Sequence, residues 1–187
     1  MLIVVARYNE SIDWTKSYNC IIYNKGDPIE NTTNVTTLPN VGREGHTYLH
    51  HIINNYDTLS DYTMFLQGNP FDHTPYLESI LSSSEWKKPF HVMSRDIVHM
   101  DVDEEHNPYN MLHLYKTLFN RTKSFSLWFG PGAQFCVSRE TIRSRPKAFY
   151  ERIYALLGKE CNPIEGHAVE RFWPMIFLGE SLEERAF

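Results

Sequence analysis

Three stretches of the chain place chemistry-bearing side chains directly after an apolar run. Leu2-Ile-Val-Val-Ala6 leads into Arg7, Asn9 and Glu10, and Cys20-Ile-Ile-Tyr23 into Asn24, Lys25 and Asp27. Tyr62-Thr-Met-Phe-Leu66 leads into Gln67, Gly68, Asn69, Asp72 and His73. Guanidinium and ammonium groups pair with phosphates. Amides donate to phosphate or ribose oxygens and accept from a base, and carboxylates and imidazole exchange protons. Any one cluster also reads as a plain turn, because Asn, Asp and Gly favour turns for local reasons. If the three runs are neighbouring parallel strands, the clusters converge on one rim, and that convergence predicts a site.

Other motifs narrow the chemistry. No GxGxxG follows the first run and no GxxxxGK[ST] or GxSxG occurs, which disfavours dinucleotide, P-loop and serine-hydrolase sites. His46, His50 and His51 form HxxxHH without the HExxH of a zinc protease, so packing or solvent exposure is the plainer reading. Asp101-Val-Asp103 is a literal DxD, able to hold Mg²⁺ or Mn²⁺ on a diphosphate, but Glu104 and Glu105 continue it as a solvated acidic loop would. Arg139, Arg143, Arg145 and Lys147 form a basic cluster that reads either as a local patch or as a solvated helix face.

The elements that must position these residues follow from periodicity. Continuous apolar runs at 2–6, 20–23 and 62–66 are strands buried on both faces. Further strands are expected at 35–39, 90–93 and 133–137, with a turn-rich hinge over Trp128-Phe-Gly-Pro-Gly132. Tyr48, Leu49, Ile52, Ile53 and Tyr56 recur at helical spacing. Helices are also expected over 75–81 with Thr74 as N-cap, over 111–119, from about 146 to 157, and over 165–177 with Pro174 kinking the end. Ser138 caps a further helix start, and 96–108 reads as a polar, acidic loop. Strands alternating with helices predict an α/β fold, a three-layer α/β/α sandwich with a mainly parallel central sheet. Ligands of such sheets bind beyond the carboxyl ends of the strands.

The 187 residues suit one domain over 1–187, with 42% hydrophobic and 22% charged residues. Aromatics at 14% exceed ordinary core needs enough that some are expected to line a groove, although an aromatic-rich core is the simpler account. A net charge of −5 argues against a broad nonspecific nucleic-acid surface. Three scattered cysteines without CxxC point to a reducing, cytoplasmic setting, which gives the Asn9, Asn31, Asn34 and Asn120 sequons little meaning. No apolar run approaches the ~18 residues of a membrane span, and no signal peptide is evident.

VVARYNE (4–10), IIYNKG (21–26), LPNVGREGHTYLHHII (38–53), FLQGNPFDH (65–73), GAQFCVSRETI (132–142) and EGHAVERFWPMIF (165–177) occur in order. Together they closely resemble an uncharacterised microbial and viral domain family, catalogued as a domain of unknown function. The likeness spans nearly the whole chain and is weakest from 95 to about 125. That family looks like a compact GT-A glycosyltransferase.

The resemblance implies transfer of a sugar from a UDP- or GDP-linked donor to an acceptor hydroxyl, in the cytoplasm (the host's, if viral). The GT-A metal-binding DxD corresponds to Gln67-Gly68-Asn69, so both carboxylates are amides here, whereas family members more often carry an acid at 69. Arg7, Asn9, Glu10, Asn24, Lys25, Arg43, Gln67, Gly68 and Asn69 are the expected donor-binding residues. Arg43 stands beside a helix start whose N–H groups favour an anion. Glu165 or Asp72 is the expected base if the reaction inverts. Asp72 and His167 are the expected ligands if Mn²⁺ or Mg²⁺ is used. Trp128, Phe129 and Gly132 form an acceptor-side sugar platform or pack under the sheet edge. Glu165 and Glu170 lie about 140° apart on a helix, so they cannot share one face, and Glu170-Arg171 reads as a structural pair. The acceptor is a glycan, a protein or a modified base in viral DNA, the last disfavoured by the acidic charge. The alternative is a noncatalytic relative that binds nucleotide or sugar.

Overall fold

A computed structural model describes residues 1–30 and 33–179, so the Asn31 sequon lies outside the described residues. Strands β1 (Leu2–Arg7), β2 (Cys20–Asn24), β3 (Val35–Thr37), β4 (Tyr62–Gln67), β5 (Phe90–Val92) and β8 (Phe135–Ser138) form one sheet in the order β3-β2-β1-β4-β8-β5. All are parallel except β8, which runs antiparallel to both neighbours. The chain moves outward from β1 to β2 and β3, then returns through a helix to β4 on the other side of β1. That reversal opens a crevice between the carboxyl ends of β1 and β4.

The apolar runs are continuous because both faces of the sheet are covered. Val4, Tyr23, Phe65, Phe90 and Phe135 join one buried cluster, while Ile3, Val5, Ile22, Met64, Leu66 and Cys136 join the other. This is the period-two alternation of a strand, with both phases apolar. The first face carries α1 (Arg43–Asn54), α3 (Met111–Phe119), α5 (Lys147–Leu157) and α6 (Ile164–Leu178). The second is covered thinly, by a 3-10 turn at Asp13–Ser17 and the short α2 (Leu77–Ser82). Most aromatics are core: Phe135 alone lies within 6 Å of the Tyr48, Phe65, Phe90, Trp173 and Phe177 rings.

Several local expectations are met. Ser138 Oγ accepts from Thr141 N at 3.2 Å and caps α4 (Arg139–Arg143). Pro146 precedes α5. Helix α6 continues through Pro174 to Leu178. Others are corrected. The region read as the loop 96–108 contains β6 (Val98–Val102), paired antiparallel with β7 (Phe125–Phe129) in a separate two-stranded sheet. Val98, Met100 and Val102 alternate with His99 and Asp101, but the partner strand lies a helix away in sequence, and the acidic run that follows masks the period. The hinge expected at 128–132 accordingly begins only after Phe129. Thr74 does not cap α2: its hydroxyl donates to Gln134 Oε1 at 3.2 Å, and the helix begins at Leu77.

The HxxxHH histidines pack. His46 stacks on Tyr154 with ring centroids 4.3 Å apart, and His51 Nδ1 meets the Tyr23 hydroxyl at 3.1 Å. Burial pushes both imidazoles down to about 4. In the literal DxD, Asp101 accepts from Ser126 Oγ at 2.6 Å, and Asp103 accepts from the backbone of Glu105 and His106 at 2.9 and 2.7 Å. Both acids therefore hold the β6–β7 pair and the loop after β6. Three of the four residues of the basic cluster are engaged within the fold: Arg139 bonds Asp61, Arg143 the Tyr56 carbonyl, and Arg145 the Ile176 carbonyl. The cysteines are free. Burial raises the Cys20 and Cys136 thiols to about 11 and about 12, and Cys161 is exposed. Among the described residues no helix is long and apolar enough to cross a membrane.

Candidate functional site

The carboxyl ends of β1 and β2 are tied to each other through side chains. Arg7 donates through Nε to the Glu10 carbonyl at 2.9 Å, and through its terminal nitrogen to Asn24 Oδ1 at 2.6 Å and the Asp27 carbonyl at 3.1 Å. Asn24 Nδ2 donates to the Asp27 carbonyl at 2.9 Å, and Asp27 N donates to Asn9 Oδ1 at 2.8 Å. The two loops cross so closely that a Cβ at Gly26 would lie 1.6 Å from the Tyr8 carbonyl oxygen. Arg7, Asn9 and Asn24 therefore shape the rim.

Lys25 leaves β2 and donates through Nζ to the carbonyls of Val41 and Arg43 at 2.6 and 2.5 Å. Burial pushes its ammonium down to about 8. This holds the turn into α1, where Gly42 and Arg43 have φ of 62° and 52°. Gly42 suits that region; Arg43, with a side chain, is strained there. The backbone N–H groups of Gly42 and Arg43 donate to the carbonyls of Glu160 and Cys161 at 2.8 and 3.3 Å. The anion-binding N–H groups expected beside Arg43 are thus already engaged at these two positions.

From the end of β4, Gln67 faces the crevice. A Cβ at Gly68 would lie 2.5 Å from Glu10 Oε2, so in this arrangement the Glu10 side chain lies across the strand end against the bare glycine. Glu10 Oε2 accepts from Tyr8 N at 2.7 Å. A cavity of about 250 Å³ results, walled by Arg7, Tyr8 and Glu10 after β1, Lys25 after β2, Asn40, Arg43 and Glu44 around the start of α1, and Gln67.

Of the residues expected to bind the donor, Arg7, Glu10, Lys25, Arg43 and Gln67 therefore meet in one cavity, with Asn9, Asn24 and Gly68 bonded or packed directly behind. Asn69 is outside, donating to Asp72 Oδ2 at 3.1 Å, and Asp72 is exposed. Glu165 lies in the first turn of α6 and has no polar partner among the described residues. His167 contacts Arg43 at 3.3 Å and stacks on Tyr109 at 5.0 Å. Burial, then the Arg43 charge, lowers its imidazole pKa. The expected sugar platform is not assembled at the cavity. Phe129, at the end of β7, is buried under the Arg171 guanidinium, and Trp128 packs on His99 of β6. Gly132, at φ 87°, donates its N–H to Glu170 Oε1 at 2.9 Å.

Two acids emerge that the sequence reading did not select. The Glu44 side chain is largely buried in the cavity wall. Desolvation raises its carboxyl pKa against the opposing Arg43 charge, and Oε1 has no hydrogen-bond partner. Its signal was present in NVGREG, where the acid directly follows Arg43. Glu170 bridges two strained segments: one oxygen takes the Gly132 N–H, and the other stands 3.8 Å from Arg43. The i, i+3 spacing of His167 and Glu170 puts both against Arg43. Glu170 also sits 3.7 Å from Arg171, so the structural pairing expected of those two is present beside this second role.

A Mn²⁺ or Mg²⁺ ion fits these residues poorly. The two positions that would bear carboxylates are amides, which bring no negative charge to a cation, and one Asn69 N–H is turned to Asp72. Asp72 and His167 gain no third ligand, since among the described residues no three His, Cys, Asp or Glu side chains come together to hold a metal.

Fold and site together define an α/β protein with a charged cavity at the switch point of a mostly parallel sheet. The chain matches the model of the family described as "Protein of unknown function (DUF3431)" over residues 2–80 and 82–185, and it belongs to that family. No curated protein and no solved structure matches it.

Proposed function

We propose that the protein is a glycosyltransferase that moves a sugar from a UDP- or GDP-linked donor to an acceptor hydroxyl, with the donor diphosphate in the β1–β4 crevice. One observation carries this reading: three cations, Arg7, Lys25 and Arg43, wall a polar cavity at the position where open α/β sheets take nucleotides. The GT-A resemblance supplies the reaction class.

In such a transfer the acceptor hydroxyl gives up its proton to solvent, its oxygen bonds the anomeric carbon, and the bond from that carbon to the diphosphate oxygen breaks, so that the diphosphate departs with the electron pair. The departing charge needs stabilisation. Lys25 and Arg43 supply it here. Arg7, spent on the strand ends, keeps the cavity open and adds its charge. Glu44 would repel a diphosphate if ionised. Burial favours its protonated form, which can donate a hydrogen bond to a phosphate oxygen. Neither Glu165 nor Asp72, the bases that the resemblance implies, lines this cavity.

Calorimetric titration with UDP and GDP, with and without Mn²⁺, tests the donor site. At least one nucleotide should bind without the metal, and Lys25→Ala should weaken it about tenfold, roughly 1.4 kcal/mol. If neither nucleotide binds, the reading fails. The amides at 67 and 69 favour a second reading, a noncatalytic nucleotide-binding module. Nucleotide binding with no turnover of any UDP- or GDP-sugar would select it.

A further inference from the structure

A second concave surface adjoins the cavity. It is an open cleft of about 550 Å³ walled by Glu10, Ser11, Asp13, Trp14, Asn69 and Phe71. Its size falls in the ~300–1,000 Å³ range of small-ligand sites. Glu10 belongs to both walls, so a ligand in the cleft faces the cavity across one carboxylate.

The cleft contains what recognises a sugar. The Trp14 and Phe71 rings meet edge to face at 80°, with centroids 6.2 Å apart. Phe71 is 40% exposed, where a core role would have buried it. The Trp14 indole N–H donates to the Gly68 carbonyl at 2.9 Å, which fixes that ring against the end of β4. Aromatic faces take the C–H face of a pyranose. Carboxylates accept from hydroxyls, while the Ser11 hydroxyl and the Asn69 amide both donate and accept.

Charge selects among possible ligands. Asp13 is balanced by Lys16 at 2.6 Å, but among the described residues no cationic side chain pairs with the Glu10 carboxylate. A nucleobase would stack on the same rings, yet its phosphates would meet these carboxylates. The same repulsion disfavours sialylated and sulfated glycans.

We infer that the Trp14–Phe71 cleft is a subsite for a neutral carbohydrate. As the acceptor side of a transfer it rests on the function proposed above; as a carbohydrate site it does not.

The test is a glycan microarray of neutral malto-, cello-, manno- and chito-oligosaccharides, with sialylated glycans and single-stranded DNA alongside, followed by calorimetry on the best binder. At least one neutral glycan should bind. Phe71→Ala should weaken it tenfold or more while leaving UDP and GDP titrations within twofold of wild type. Trp14→Phe, which keeps a ring but loses the bond to Gly68, should weaken it less. Unchanged melting temperatures show that the variants fold. The proposal is overturned if no neutral glycan binds, if Phe71→Ala binds it like wild type, or if DNA or sialylated glycans are preferred. Failure of the donor reading shows separately, as absence of UDP and GDP binding.

Discussion

At the scale of single residues, the cavity depends on groups held away from their ordinary protonation behaviour. Lys25 loses its proton near pH 8 because burial disfavours the ammonium. An anionic ligand needs the charged form, so its affinity should be steady below pH 8 and fall above it, by up to about tenfold per pH unit. Titrating UDP or GDP between pH 6.5 and 9.5 checks this, and Lys25→Gln should flatten the profile. Gly26→Ala should be among the most damaging single changes at the rim, costing about 3 kcal/mol or more. A methyl there would overlap the Tyr8 carbonyl, and urea denaturation measures the loss. Much at this scale was legible. A polar residue directly after a buried run sits at a strand end whatever the rest of the fold does, so Arg7, Lys25 and Gln67 could be placed. Glu170 was not selected, because its role depends on Arg43, which reaches it only once α1 and α6 are packed together; Glu44 was passed over although it directly follows Arg43, because its burial depends on how α1 packs.

Among elements, α6 holds the site together. Its first turns put His167 and Glu170 against Arg43 at the start of α1, and Glu170 also anchors Gly132 ahead of β8. Glu170→Ala leaves the Gly132 N–H and the Arg43 guanidinium without this acid, and should cost about 2–3 kcal/mol. Glu170→Gln retains an acceptor for Gly132 and should cost less. The two melting curves compared with wild type decide the matter. Periodicity found α1, α3, α5 and α6 because a helix declares its apolar face within a dozen residues. It missed β6, whose partner β7 is supplied only after α3, so a half-exposed strand could not be told from a loop. Trp128 and Phe129, expected to form an acceptor-side platform or to pack under the sheet edge, lie on β7 opposite His99 and Val98 of β6.

For the whole molecule, acid sensitivity follows from the buried histidines. His46 and His51 titrate near 4 in the fold, below their ordinary 6.5, so the unfolded chain binds more protons between those values. Their contribution is complete above pH 6.5 and is lost as pH falls towards 4, at about 1–3 kcal/mol for each. Glu44 acts in the opposite sense, its raised carboxyl favouring the fold as it protonates. Urea midpoints at pH 7 and pH 5 should therefore differ, with the lower stability at pH 5. His46→Gln with His51→Gln should narrow the gap.

The order of the sheet has a consequence for how the molecule is made. Every residue lining the charged cavity lies between Ala6 and Gln67. The supports come later: β8, which pairs with β4, begins at Phe135, and Glu170 lies later still. As the chain leaves the ribosome, its binding walls therefore precede their buttresses by more than a third of its length. Until β8 arrives, Met64 and Phe65 stand on an unpaired apolar edge, the kind of surface that holdase chaperones cover during translation.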